Sequence, residues 1–193
     1  MQSPVNFTIN TALRNYLLKE FEKYCDPHSS DILEIGIGTG RFGNLFGKEF
    51  HSYYGIDIDV EAVAEARKNI PKNVNIIYKI GNAENIPFRK KFTIVFYAQS
   101  WHFIKNRDKA LQEAQRVLKK KGLIFILEPT EKSNWLHPHL QKNSPEFDTL
   151  LYEQKMDNLK RGKEAIEHQQ LFEVIFREYK KTLSKNIFIL GKL

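Results

Sequence analysis

Asp31-Ile32-Leu33-Glu34-Ile35-Gly36-Ile37-Gly38-Thr39-Gly40 is the stretch on which the reading of this chain turns. An apolar run closes on three alternating glycines, and a segment compatible with a helix follows. This pattern reads as a buried strand feeding a tight turn without side chains, where a large ligand can touch the backbone.

Outward from that stretch the chain alternates between strand and helix patterns. Upstream, Leu13, Leu17, Phe21 and Tyr24 recur at helical spacing and predict an amphipathic helix over 10–24, followed by turn residues at 26–30. Downstream, the expected order is a helix over 41–49, a strand over 52–57 and a helix from Val60 to Ile70 ended by Pro71. Strands follow over 74–80 and 92–97, the second dense in β-branched and aromatic residues. Ala110, Leu111, Ala114, Val117 and Leu118 form the next helical stripe, with Gly122 as its stop and Lys119-Lys120-Lys121 at its end, where cations complement the helix dipole. Leu123 to Leu127 is the fifth strand. Near the carboxyl terminus, Phe172–Thr182 and Ile187–Leu190 flank a turn too short for anything but an antiparallel pair.

This order predicts an α/β fold, with a Rossmann-like, doubly wound, seven-stranded sheet that is mostly parallel and ends in an antiparallel strand. The chain reads as a single domain over 1–193. Residues 1–30 form a helical cap, 31–129 the ligand-binding core, 130–170 a cap insertion and 171–193 a terminal strand pair.

Bulk properties narrow the function. The 193 residues, 41% hydrophobic and 12% aromatic, suit one globular core. The first residues show no secretory pattern and no apolar run reaches membrane-spanning length, so a cytoplasmic protein without a membrane partner is expected. One cysteine, Cys25, excludes an internal disulfide and a cysteine-built zinc cluster. The net charge of +7 comes mostly from lysines interleaved with acids, which argues for a solvated basic surface over a nucleic-acid footprint. Oligomeric state, monomer or homodimer, stays open.

The glycines fit two registers. Gly38-Thr39-Gly40-Arg41-Phe42-Gly43 is a formal G-x-G-x-x-G of the dinucleotide type, a weak signal by itself. Gly36-x-Gly38-x-Gly40 is the other. Asp57, at the end of the second strand, can accept hydrogen bonds from ribose hydroxyls and serves NAD or an adenosyl ligand equally.

Three further segments bear on the choice: Gly81-Asn82-Ala83-Glu84-Asn85-Ile86-Pro87-Phe88, Arg116-Val117-Leu118-Lys119-Lys120-Lys121-Gly122 and Glu128-Pro129. Together with the glycine turn, and over about 31–129, the chain resembles the class I S-adenosylmethionine-dependent methyltransferases of small-molecule type. That family's sheet also ends in a reversed strand. The resemblance implies S-adenosylmethionine as cofactor. Gly36, Gly38 and Gly40 would admit it to the backbone, where any side chain should clash. Glu34 would hold its ammonium group directly or through water, Asp57 its ribose and Ile58 one face of its adenine. Asn82 stands where the family usually has aspartate and would accept from the adenine amino group, and Ala83 would offer its N–H. Gln99 would contact the methionine part. Trp101 and His102 would shape the acceptor pocket, with His102 a possible base; the alternative for both rings is packing of the following helix.

The same resemblance implies methyl transfer to a small molecule by in-line displacement. Tyr97-Ala98-Gln99-Ser100 lacks the Asn/Asp-Pro-Pro-aromatic segment of nucleic-acid amino methyltransferases, and Cys25 is misplaced for cytosine chemistry. Methylation of RNA or protein, and cofactor binding without turnover, remain as alternatives. The acceptor would be chosen by the two caps, where Arg14 or Tyr16 could reach the cofactor and Trp135, His137 and His139 could line the pocket. No metal is expected.

Overall fold

In the computed structural model of the chain, the described residues are 14–129, 153, 156, 157, 160, 178–183 and 186–192. Residues 14–22 are helical (α1). A 3-10 turn, Pro27–Ser29, leads into β1 (Asp31–Ile35). There follow α2 (Arg41–Phe46), β2 (Ser52–Asp57), α3 (Val60–Lys68), β3 (Ile76–Ile80) and β4 (Phe92–Ala98). A second 3-10 turn, Trp101–Phe103, precedes α4 (Arg107–Val117), β5 (Leu118–Pro129), β6 (Glu178–Leu183) and β7 (Asn186–Lys192). One sheet carries all seven strands in the order β3-β2-β1-β4-β5-β7-β6. The pairs from β3 through β5 are parallel; β7 is antiparallel to both β5 and β6, so the final strand is the reversed one, inserted inside the edge.

Period-two alternation divides the core. On β4, Val95 and Tyr97 join a cluster with Leu33, Ile124, Ile126 and the buried stripe of α4. Ile94 and Phe96 face the opposite cluster, with Leu17, Phe21, Phe46 and Phe125. Phe21 of α1 sits edge-on to Phe46, Phe50, Phe96 and Phe125, with centroids 4.8 to 5.8 Å apart. Edge-to-face pairs add ~0.5–1.5 kcal/mol each beyond burial, so α1 is fastened to the sheet by its aromatic face. Arg14 reinforces this: it donates to the Leu45 carbonyl at 3.0 Å and pairs with Glu49. Arg14 is therefore tied to the end of α2, and Tyr16 packs beside the same core cluster.

Several boundaries differ from expectation. α4 stops at Val117, not at Gly122, because Leu118 turns extended (φ −78°, ψ 145°) and pairs at once with Phe92. The register then jumps, with Ile94 opposite Leu123, and Lys121 takes a left-handed conformation (φ 64°) within the bulge. Lys119-Lys120-Lys121 thus belong to the start of β5, where Lys119 lies 3.5 Å from Asp31. α2 ends at Phe46, three residues earlier than expected, and β3 begins at Ile76. The expected helix over 10–13 and the cap insertion with Trp135, His137 and His139 lie outside the described residues.

Candidate cofactor and methyl-transfer site

In an open parallel sheet the ligand crevice lies past the carboxyl ends of the strands, where the order reverses. Here that point falls between β1 and β4, neighbours in the sheet whose connections run to opposite sides. Three segments converge there: the glycine turn after β1, Asp57 to Asp59 after β2, and Gln99 to His102 after β4.

Gly36, Gly38 and Gly40 all have positive φ (77°, 51° and 85°). Gly36 is crowded by protein: a Cβ would lie 2.4 Å from the Ser100 Cβ. Ser100 is locked there by its own hydroxyl, which donates to the Ile35 carbonyl at 2.5 Å. Gly38 is different. A Cβ there would have no atom of the chain within 4 Å, so the expected clash does not arise from the protein itself. The space above Gly38 is open. The Gly38 N–H donates to Asp57 Oδ2 at 2.8 Å, while Asp57 Oδ1 accepts from Asp59 N–H at 3.0 Å. A carboxylate offers about four acceptor positions, so two remain for ribose hydroxyls. Asp59, not Asp57, caps α3 by accepting from the Glu61 and Ala62 N–H groups. Ile58 is 71% exposed and Val60 59%, an apolar edge beside Asp57 suited to a flat ring.

Beneath the turn lies a buried polar group. Glu34 is 0% exposed; the Tyr53 hydroxyl donates to its Oε2 at 2.8 Å, and Oε1 is enclosed without a hydrogen-bond partner among the described residues. Burial pushes the Glu34 carboxyl up to about 8, against the Tyr53 hydrogen bond and nearby Arg41. Tyr78 brings a second enclosed hydroxyl toward the start of α2, and Gly43 makes room for it: a Cβ there would stand 1.8 Å from the Tyr78 Oη.

On the far side, Gln99 has left-handed φ (58°) at the end of β4, its N–H on the Leu127 carbonyl at 2.8 Å. Its Oε1 accepts from Arg41 Nη2 at 3.1 Å. Such strain in a non-glycine residue clusters at ligand sites. His102 follows, with Nδ1 3.1 Å from both carboxylate oxygens of Glu128 at the end of β5. The His102 side chain is 8% exposed and Glu128 0%. Nε2 is enclosed without a hydrogen-bond partner among the described residues, and the Phe103 ring lies 3.9 Å from the imidazole centroid. Trp101 follows the alternative expectation: it is fully buried, edge-on to Tyr97 and in one core cluster with the stripe of α4, where it packs the helix against the sheet.

Asn82 is exposed and its Oδ1 accepts from Glu84 N–H at 2.8 Å in an Asx turn, which leaves the oxygen's second acceptor position. Ala83 is buried. Sequence reasoning gave no role to Arg41, Tyr53, Tyr78 or Glu128. Among the described residues no three metal-ligating side chains cluster, and no helix is long and apolar enough to cross a membrane.

Residues 33–126 match the methyltransferase-domain family. Over that stretch the chain is similar to class I methyltransferases. An uncharacterized protein of Methanocaldococcus jannaschii is 37% identical over 95 residues, covering 49% of this chain and 42% of that protein. The ubiquinone biosynthesis O-methyltransferase of Pelagibacter ubique is 30% identical over 96 residues, covering 49% and 40%. The match thus spans about two fifths of the length of either relative. The fold is shared with a Methanococcus maripaludis protein described as an S-adenosyl-L-methionine-dependent methyltransferase. Its TM-score is 0.73 at 21% identity, covering 95% of this chain and 84% of that one. S-adenosylmethionine is the cofactor of such a domain. The residues present fit it: an open cradle over a left-handed glycine, an acceptor carboxylate, an exposed apolar edge and a buried acid with one oxygen spare.

Proposed function

We propose that the chain transfers a methyl group from S-adenosylmethionine to a hydroxyl oxygen of a small molecule, with His102 as general base and Glu128 as its positioning residue. The observation that carries this reading is the buried His102–Glu128 pair, set where β4 and β5 end beside the glycine turn. S-adenosylmethionine supplies an activated methyl on a good leaving group, so the chain has to align the acceptor, exclude water and accept one proton. An Nδ1–H donated to Glu128 places the free lone pair on Nε2. That lone pair, enclosed at the 3-10 turn, can take the hydroxyl proton as the oxygen attacks.

Gly36, Gly38 and Gly40 would seat the cofactor, Asp57 would hold its ribose, and Ile58, Asn82 and Ala83 would border its adenine. Glu34 and Gln99 would face its amino-acid end. The small-molecule class is supported by the likeness of 49% of this chain to the ubiquinone biosynthesis O-methyltransferase. Two of the basic residues, Lys90 and Lys119, gather on Asp31, at the opposite end of β1 from the glycine turn, and so do not serve an RNA acceptor there.

The test is transfer of labelled methyl from S-adenosylmethionine to a panel of phenols and other small hydroxyl compounds. His102→Ala should lower kcat ~10²–10⁴-fold. Glu128→Gln should lower kcat ~10–100-fold while leaving KM and cofactor affinity near wild type, a split that lost packing would not give. Transfer by His102→Ala at the wild-type rate would remove the base from the account.

A further inference from the structure

Helix α4 borrows one of its capping groups from a distant segment. Its N-cap, Asn106, accepts from the Lys109 N–H at 3.0 Å. In a capping box, a Glu or Gln at the third helical position accepts in return from the N–H of the N-cap. Lys109 holds that position here, and an ammonium accepts nothing. The Asn106 N–H goes instead to Glu84 Oε1 at 3.0 Å, from the loop after β3, 22 residues upstream. A carboxylate at this end of the helix also complements the helix dipole.

Glu84 thereby joins the two sides of the site. On one side, the Gly81 N–H donates to the Asp57 carbonyl at 2.8 Å, and Asn82 Oδ1 holds the Glu84 N–H at 2.8 Å. On the other, Arg107 follows Asn106, and its Nη2 donates to the His102 carbonyl at 3.4 Å. The rest of the loop is pinned farther along the same helix. Glu113 accepts from the Ile86 N–H at 2.8 Å, and Arg116 donates to the Ile86 and Phe88 carbonyls at 2.8 and 3.0 Å. Loop and helix are thus fastened as one unit, with Glu84 as the fastening at the His102 end.

We propose that Glu84 is a positioning residue that couples S-adenosylmethionine bound at the 81–88 loop to the order of the turn carrying His102. This rests on the reading of that loop as the wall of the adenine. A cofactor that steadies the loop steadies Asn106 through the Glu84 carboxylate, and with it the turn at 101–106. The acceptor side is then complete once the methyl donor is in place.

Amide hydrogen exchange of the full chain, with and without saturating S-adenosylmethionine, reads the coupling. The reporters are Phe103 and Ile104, whose N–H groups donate to the Ser100 and Trp101 carbonyls and keep those partners in every variant used. Wild type should gain ~10-fold or more in protection there on binding. Glu84→Ala should lose most of that gain, with calorimetry finding its affinity for S-adenosylmethionine within ~3-fold of wild type. Glu84→Gln should keep the gain, because its amide oxygen still accepts from the Asn106 N–H. If Glu84→Ala does not fold, Glu84→Asp, one methylene too short for the contact, carries the same comparison. A structural role alone lowers protection equally with and without cofactor; an unchanged gain in Glu84→Ala would therefore overturn the inference. So would a large loss of affinity with the gain intact, which makes Glu84 part of the binding wall. A wild-type chain that binds no S-adenosylmethionine would overturn the cofactor assignment, and this inference with it.

Discussion

Replacing Glu34 by Gln tests the electrostatics beneath the glycine turn. The carboxyl is fully enclosed, accepts one hydrogen bond from Tyr53 and has its value raised by burial from 4.5 to about 8. Because the folded value lies above the unfolded one, the folded chain keeps a proton that the unfolded chain has released. The stabilisation is complete below about pH 4.5 and is lost as pH rises through about 8. Across that interval each pH unit removes about 1.4 kcal/mol, which gives an upper limit of ~4–5 kcal/mol. A Gln at this position keeps the acceptor for the Tyr53 hydroxyl and does not titrate. Urea unfolding of wild type and Glu34→Gln, each without cofactor, from pH 5 to pH 9 reads the effect directly. The two should be within ~1 kcal/mol of each other at the acid end, and wild type should lose ground steadily as pH rises. A loss of ~2 kcal/mol would already exceed the uncertainty of the extrapolation. A difference that stays flat, or wild type gaining with pH, would refute the placement of an uncharged acid under the turn.

The two central glycines should behave differently. Gly36→Ala meets Ser100 at 2.4 Å and should destabilise the fold by ~3 kcal/mol or more. Gly38→Ala meets nothing and should cost only the ~1–2 kcal/mol of left-handed strain, yet weaken S-adenosylmethionine at least ~10-fold; urea melts and calorimetry separate the two effects. Gly43→Ala should cost ~1–3 kcal/mol by striking the Tyr78 hydroxyl, and Tyr78→Phe in the same chain should recover most of it, a coupling that a double-mutant cycle measures. Asp31 is pushed up by burial, but hydrogen bonds from His51, Ser52 and Lys90 outweigh this and hold it well below the usual carboxylate range. Its stabilisation is therefore present at neutral pH and lost on acidification. Asp31→Asn should cost ~2–4 kcal/mol at pH 7, with the difference shrinking below about pH 4 in urea melts.

What could be read in the sequence follows from what is local. The glycines, the alternating elements and the reversed last strand announce themselves through periodicity and turn chemistry, and the sheet carries them in the expected order. The His102–Glu128 pair could not be read that way. Its members lie 26 residues apart and meet only because β4 and β5 pair with Ala98 opposite Leu127. Tyr53 and Tyr78 look like ordinary strand aromatics; their hydroxyls matter because both reach the buried side of the turn. Gly122 carries a helix-stop signal, but pairing of Leu118 with Phe92 ends the helix first. Trp101 and His102, adjacent in sequence, part company in the fold: one ring enters the core while the other turns to Glu128 at the strand ends.

Calorimetric titration with S-adenosylmethionine, beside NAD and with Asp57→Ala as the control variant, tests the central claim most directly. The account predicts one equivalent of S-adenosylmethionine bound, at least ~10-fold weaker in Asp57→Ala where the ribose acceptor is gone, and no comparable binding of NAD. Binding of NAD in preference, or S-adenosylmethionine bound as tightly by Asp57→Ala as by wild type, would contradict it.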